Sequence, residues 1–118
     1  MLFRSDLPAV YLCREAVDFR KGINGLAALV EERLELDPLS EQLFVFCNRA
    51  RDRVRILYWE RNGFCLWQKR LEKHRFHWPR REPGAVVTLT GQQLNWLLDG
   101  LDVLRMRPHE RLFYQRIS

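Results

Sequence analysis

The amino-acid sequence predicts an α+β fold with an antiparallel sheet of about five strands and two helices packed on one face. Three observations favour this class: short apolar runs bounded by Gly, Pro and Asn, two segments with helical apolar spacing, and strands grouped in the middle of the chain. The predicted order is β-α-β-β-β-β-α. With 118 residues, 47% of them hydrophobic, the chain has the length and composition of one globular domain. We expect this domain at residues 1–104 and a tail of uncertain structure at residues 105–118.

The N-terminal part of the chain predicts one strand and one helix. Residues Val10–Arg14 alternate between two faces, as in a strand. A helix then extends from Asp18, whose side chain is a suitable N-cap, to about Glu35. Asp37-Pro38 ends it, because the residue before proline avoids helical geometry. Apolar residues at helical spacing form its buried side: Ile23, Leu26, Ala27, Val30 and Leu34.

The centre of the chain predicts a strand followed by a hairpin. Leu43–Cys47 is a continuous apolar run, and a basic turn follows it. Arg53–Trp59 and Phe64–Leu71 are joined through Asn62-Gly63, a dipeptide that favours hairpin turns. A two-residue turn at this dipeptide and a four-residue turn at Glu60–Gly63 leave the same residues on each face. A three-residue turn would exchange the two faces.

The C-terminal elements are a strand and a helix. Ala85–Leu89 is a short strand after a loop that contains two prolines. Thr90 and Gln93 have the spacing of a capping box, in which each side chain binds the other residue's backbone N–H. Gly100 is a stop signal for the helix. The apolar residues of this helix are Leu94, Leu97, Leu98 and Leu101.

Alternation within the hairpin separates an apolar face from a face with cations at one end. The apolar face, which we expect to contact the helices, carries Val54, Ile56, Tyr58, Cys65, Trp67, Lys69 and Leu71. The other face carries Arg53, Arg55, Leu57, Trp59, Phe64, Leu66, Gln68 and Arg70. Like charges opposite each other in a sheet are unfavourable, so three arginines on one face indicate an anionic ligand.

The positive charge is concentrated in the same part of the chain. The net charge is +5 overall, and residues 49–83 alone hold eleven Lys or Arg against four Asp or Glu. A localised basic region is typical of nucleic-acid-binding surfaces, and arginine binds phosphate oxygens bidentately. The sequence therefore predicts a DNA-binding surface made of Arg49, Arg51, Arg53, Arg55, Lys69, Arg70, Lys73, Arg75, Arg80 and Arg81.

The aromatic end of the hairpin allows a second interpretation. Arg, Trp and Tyr are also common in protein interfaces, so Trp59, Phe64 and Leu66 could anchor a partner protein. The same aromatic side chains could stack on bases, or could simply be packed in the core. These alternatives stay open at the level of sequence.

No motif predicts catalysis or a cofactor. His74-x-x-His77 with Cys65 lacks a fourth ligand at a suitable spacing for structural zinc. Acidic residues that could hold a catalytic metal are scattered over predicted turns and caps: Asp18, Asp37, Asp52 and Glu60. A metal-dependent nuclease that uses these acids is the third alternative. We expect a protein that is not an enzyme.

Three features predict a cytoplasmic protein without membrane contact. The first residues combine Arg4, Asp6 and Pro8 and do not form the apolar region of a signal peptide. No apolar run approaches the ~18 residues of a membrane span. The three cysteines form no C-x-x-C pair and lie in apolar runs, which favours free thiols.

Several segments together resemble a known family. They are DFRKGINGLA at 18–27, LFVF at 43–46, VRILYW at 54–59, NGF at 62–64, KRLE at 69–72 and FHWP at 76–79. In this order they resemble the small TnpB accessory protein, encoded by the second open reading frame, of insertion sequences of the IS66 class. The resemblance extends from about Val10 to Asp102.

The resemblance implies a bacterial protein that assists transposition of its own element. In that family the DNA recombination chemistry is thought to belong to a separate, larger transposase with an acidic triad, which agrees with the missing catalytic motif here. The resemblance also implies a role for Arg20 and Lys21, within the pattern Asp18-x-Arg20-Lys21-Gly22, at the start of the first helix. We assign these two residues to a surface that binds a partner such as the transposase; the alternative is that Asp18 caps the helix and the two cations are merely exposed.

Overall fold

A computed structural model describes residues 9–105 of the chain. Apart from Arg105, the predicted C-terminal tail lies outside the described residues. The described elements are β1 (Val10–Cys13), α1 (Ile23–Glu32), β2 (Leu43–Cys47), β3 (Arg53–Glu60), β4 (Gly63–Arg70), β5 (Val86–Leu89) and α2 (Gly91–Leu98). The α+β class and the order of elements are therefore confirmed.

The five strands form one sheet in the order β4-β3-β2-β1-β5. Three neighbouring pairs are antiparallel, but β1 and β2 are parallel, with Val10 opposite Leu43. The sheet is thus mixed, and the prediction of a purely antiparallel sheet was wrong in this pair. The reason is the connection between the two strands, since α1 returns the chain to the starting end before β2 begins.

The two helices pack on opposite faces of the sheet, and the prediction that both lie on one face was wrong. One buried cluster joins Leu94 and Leu97 of α2 to Val45 and Ile56 of the sheet. The other joins α1 to the opposite side chains of the same strands, including Phe44 and Leu57. All five residues of β2 are buried, because this central strand is covered on both faces.

The first helix begins later than predicted. Gly22, not Asp18, is the N-cap residue, and no side chain caps this end. Asp18 instead accepts a hydrogen bond from the Arg20 N–H at 3.0 Å and pairs with the Arg20 guanidinium. The local Asx-type turn at Asp18 therefore competes successfully with helix initiation.

The second helix has both predicted end signals. Thr90 and Gln93 form the capping box reciprocally. At the other end, Gly100 has φ +87°, and the N–H groups of Gly100 and Leu101 donate to the carbonyls of Leu97 and Trp96. This is the Schellman arrangement, which requires a left-handed residue that glycine adopts without strain.

The hairpin register confirms the predicted face sets. Glu60 pairs with Gly63, so Arg61 and Asn62 form the turn, and Trp59 lies opposite Phe64. Val54, Ile56 and Trp67 pack in the cluster under α2. Leu57 and Leu66 pack in the cluster under α1.

Candidate nucleic-acid interface

The sheet topology gathers the basic residues at one end of the sheet. β1, β2 and β4 end there, while β3 and β5 begin there, as the register of the four strand pairs requires. We call this the basic end. Arg53 lies directly opposite Arg70 in it. Glu72 pairs with Arg70 at 3.1 Å, whereas no carboxylate among residues 9–105 pairs with Arg53.

The turn between β2 and β3, residues 48–52, is held in one shape by hydrogen bonds of its first residue, Asn48. The side-chain oxygen of Asn48 accepts the N–H groups of Asp52 and Arg53, both at 3.1 Å. Its amide nitrogen donates to the Asp52 carboxylate at 2.7 Å. Asp52 is thus used to order the turn, and the exposed Arg49 and half-buried Arg51 project from a fixed backbone.

The segment after β4 has no helix or strand through residue 85, yet it is anchored against the sheet. The Phe76 N–H donates to the Arg51 carbonyl at 2.7 Å. The Trp78 indole N–H donates to the carbonyls of Cys13 and Arg14, both at 3.1 Å. Arg14 in turn donates to the carbonyls of Arg80 and Gly84. These bonds position the cations of the segment across the basic end.

A first cleft lies on the side of the sheet that α2 covers, and we call it the α2-side cleft. It has a volume of about 460 Å³. Its cationic lining comprises Arg51, Arg75, Arg80, Arg81 and Arg105, with His77 beside them. The single carboxylate in the lining, Asp102, pairs with Arg105 at 3.6 Å. No carboxylate within residues 9–105 pairs with the other four guanidinium groups.

The floor of the α2-side cleft is apolar but gives little access to aromatic rings. Phe76 and Trp78 line the cleft, yet only 2% and 8% of their surfaces are exposed. Base stacking needs an open ring face, so this cleft suits phosphate groups and not bases.

A second cleft lies on the side that α1 covers, and we call it the α1-side cleft. It also has a volume of about 460 Å³ and is lined by Asp18, Arg20, Asn48, Arg49 and Arg53, among others. Arg20 is engaged by Asp18, whose pKa falls from 3.8 to about 2, chiefly because Arg20 donates to its carboxylate. Within the described chain, Arg49 and Arg53 form no ion pair with a carboxylate, although the charge of Arg49 contributes to the lowered pKa of Asp18.

Two of the predicted DNA-binding residues, Arg55 and Lys69, make hydrogen bonds within the protein. Arg55 donates to Gln68 at 2.6 Å and to the Phe19 carbonyl at 2.8 Å, and its guanidinium lies 4.5 Å from the Phe19 ring centre. Lys69 lies on the opposite face and donates to the Leu98 carbonyl at 2.7 Å, at the C-terminal end of α2. Both cations are half-buried and stabilise the packing of neighbouring segments.

The remaining predicted DNA-binding residues lie at the basic end. Arg70 is exposed and pairs with Glu72 at 3.1 Å. Lys73 is exposed in the anchored segment beside Arg75 and His77. The residues that the structure brings together in the two clefts are Arg49, Arg51, Arg53, Arg75, Arg80 and Arg81.

The predicted partner-binding residues do not form one surface patch. Trp59 and Phe64 contact each other edge to face at 5.1 Å near the hairpin turn. Phe64 and Leu66 are half-buried against the cluster under α1. Arg20 and Lys21 belong to the loop before α1, where the Lys21 carbonyl accepts from Arg55. Of the three predicted anchor residues, Phe64 and Leu66 pack against a buried cluster, whereas Trp59 belongs to neither buried cluster of the described chain.

Two cationic residues of this region carried no usable sequence signal. Arg14 is four residues from the start of β1 and shows no charge clustering, yet it anchors Gly84 and Arg80. Arg105 lies at the beginning of the predicted tail and reaches the α2-side cleft. Both depend on contacts between residues far apart in sequence. Local spacing could not reveal them.

The cysteines and acids among residues 9–105 are dispersed over the fold. No three His, Cys, Asp or Glu side chains there are close enough to hold a metal ion. The three cysteines are free, and burial raises the pKa of the Cys47 thiol to about 12. No helix of this part of the chain is long and apolar enough to cross a membrane.

Fold and surface together define a small α+β protein that gathers, at one end of a mixed sheet, arginines without a carboxylate partner among residues 9–105. The chain belongs to the family described as IS66 Orf2 like protein, whose model matches residues 8–108. It is similar to "Uncharacterized protein y4hO" of Sinorhizobium fredii (strain NBRC 101917 / NGR234), with 39% identity over 79% of this chain and 80% of the relative. It is also similar to "Uncharacterized protein y4jC" of the same strain, with 37% identity over 83% of each. No solved structure matches the chain.

Proposed function

We propose that this protein is a non-catalytic accessory factor that binds DNA in the cytoplasm during transposition of an insertion sequence. Its family, IS66 Orf2 like protein, supplies the context of an insertion sequence. The observation that carries DNA binding is a set of arginines at the basic end that have no carboxylate partner in the part of the chain that the structure describes: Arg49, Arg51, Arg53, Arg75, Arg80 and Arg81. Contacts of this kind with phosphates give affinity and salt dependence but little sequence specificity.

The cost of assembling these charges supports an anionic ligand. Arg53 lies directly opposite Arg70, and of these two cations Arg70 alone has an acidic partner among residues 9–105, Glu72 at 3.1 Å. Six guanidinium groups line the two clefts without a carboxylate partner among residues 9–105, four on the α2 side and two, Arg53 included, on the α1 side. Phosphates of a nucleic acid satisfy such groups bidentately.

The arrangement of the acids supports a non-catalytic role. Asp18 binds Arg20, Asp52 orders the basic turn, and the Asp37 carboxylate accepts the Leu39 N–H at 2.9 Å. Each has a local structural partner, whereas metal-dependent phosphoryl transfer needs acids that converge on an ion. We assign the chemistry of transposition to a separate transposase of the element.

The test is fluorescence-anisotropy binding of the purified protein to a duplex from the end of the element and to a scrambled duplex, over a series of salt concentrations. We expect affinity to fall steeply with salt. Replacing Arg53 with Gln should weaken binding to both duplexes alike and lower the slope of log K against log salt by about 0.9. Absence of binding at low salt would refute the proposal. Preference for the end duplex would show added specificity.

A second candidate function is that of an adaptor that docks on the transposase. It is favoured by the edge-to-face pair of Trp59 and Phe64, which leaves Trp59 half-exposed near the hairpin turn. Trp59→Ala should then abolish transposase binding and leave DNA binding unchanged. Unchanged capture of the transposase by this variant would exclude Trp59 as the anchor.

A further inference from the structure

The two arginine clefts lie on opposite faces of one sheet and share the turn between β2 and β3. Phe76 and Trp78 connect the α2-side cleft to the cluster under α2. Val17 and Phe19 connect the α1-side cleft to the cluster under α1. Arg51 of the turn projects to the first cleft and Arg49 of the same turn lines the second. The ordered turn is thus flanked on both sides by cations that have no carboxylate partner within residues 9–105.

From this arrangement we infer that the ligand is a duplex whose two phosphate backbones occupy the two clefts, with the turn at residues 48–52 between them. The inference rests on the proposed DNA binding and adds the form of the nucleic acid. The major groove is about 12 Å wide and admits secondary-structure elements; here the turn between the central strand β2 and its neighbour β3 would enter it. A groove of a duplex has a phosphate backbone on each side of it, as the two clefts require.

A single strand fits the same surface less completely. It has one backbone, which would have to bend around the turn to reach both clefts. The buried rings of Phe76 and Trp78 offer no stacking platform that would compensate for lost phosphate contacts. A single strand should therefore occupy the α2-side cleft, which holds four arginines without a carboxylate partner in the described chain, against two in the α1-side cleft.

The experiment compares two double variants on two ligands. Arg80→Gln/Arg81→Gln removes two charges from the α2-side cleft, and Arg49→Gln/Arg53→Gln removes two from the α1-side cleft. Anisotropy titrations over a salt series would use a duplex of 20 base pairs and a single strand of 20 nucleotides, both of mixed sequence. The control is Arg61→Gln, an exposed residue in the hairpin turn, roughly 24 Å along the strands from the basic end.

The duplex should respond to both variants and the single strand to one. On the duplex, each double variant should lower the salt slope by about 1.8, because each phosphate contact contributes about 0.9. On the single strand, only the α2-side variant should lower the slope, by about 1.4. Arg61→Gln should change neither slope, and circular dichroism with thermal melting verifies that all variants fold.

Two results would overturn the inference while leaving DNA binding intact. In the first, the α1-side variant binds duplex with the wild-type slope, so that only one cleft contacts phosphate. In the second, wild-type protein binds the single strand with as many phosphate contacts as the duplex and with the same sensitivity to both variants. If wild-type protein binds neither nucleic acid at low salt, the proposed function itself fails.

Discussion

Arg53 and Arg55 offer a matched comparison, since they are the same residue type on the same face of one strand. Arg55 donates hydrogen bonds to Gln68 and to the Phe19 carbonyl and packs on the Phe19 ring. Arg53 lies opposite Arg70 and lines the α1-side cleft. Substitution of each by Gln should therefore separate stability from ligand binding.

The expected loss for Arg55→Gln follows from these contacts. A hydrogen bond to a charged group contributes about 1.5–3 kcal/mol when it is buried, and an exposed cation–π contact contributes about 0.5–1 kcal/mol. Arg55 is only half-buried, so its two short hydrogen bonds are partly replaced by water in the variant. We expect the free energy of unfolding to fall by about 2–3 kcal/mol. For Arg53→Gln we expect a change within about 0.5 kcal/mol, because one like-charge pair is relieved.

Urea denaturation followed by tryptophan fluorescence measures the first effect, and salt-dependent duplex binding measures the second. Arg55→Gln should lower the denaturation midpoint and, while folded, retain the wild-type salt slope. Arg53→Gln should retain the midpoint and lose about 0.9 of the slope. The reasoning is refuted if Arg55→Gln is as stable as the wild type and loses a phosphate contact instead.

Three other predictions follow from single contacts. Lys69→Met keeps the aliphatic stem but removes the hydrogen bond to the Leu98 carbonyl in the last turn of α2. It should lower the free energy of unfolding, measured by urea denaturation, by about 1–2 kcal/mol. The salt slope of duplex binding should not change. In the native protein, Ellman's reagent should modify the half-exposed Cys65 rapidly. The buried Cys47, whose pKa is raised to about 12, should react only after denaturation. Equal reaction rates of the two thiols in the native protein would contradict the packing. The pKa of Asp18 is lower in the folded than in the unfolded protein, so its stabilising effect is complete above pH 3.8 and is lost as the pH falls towards about 2. Asp18→Asn should therefore flatten this part of the curve of unfolding free energy against pH. An unchanged curve would contradict the pairing of Asp18 with Arg20.

Local rules predicted the elements that depend on neighbours in sequence. The capping box at Thr90, the stop at Gly100 and the face sets of the hairpin all follow from spacings of a few residues. The start of α1 was wrong because Asp18 has two local uses, as an N-cap or as a partner of Arg20, and the sequence does not rank them. Competition of this kind is decided by how the rest of the loop packs, here through Arg55 and the Phe19 carbonyl.

The positions of the helices and the composition of the clefts needed long-range information. The continuous apolar run Leu43–Cys47 was a usable signal, because a strand buried on both faces needs cover on each. The roles of Arg55 and Lys69 had no such signal, since each binds a backbone carbonyl from a different segment. A cation that will bind a carbonyl and one that will meet a phosphate look the same in a sequence.

The sequence by itself determined the α+β class, the order of the elements, the alternation of the hairpin and the concentration of positive charge in residues 49–83. Its motif order also indicated the family to which the chain belongs. Only the tertiary structure decided that β1 and β2 are parallel, that the helices cover opposite faces, and that the basic segments meet in two clefts at one end. The physical reason is that periodicity and capping act over a few residues, whereas strand order, burial and charge pairing depend on contacts between segments tens of residues apart.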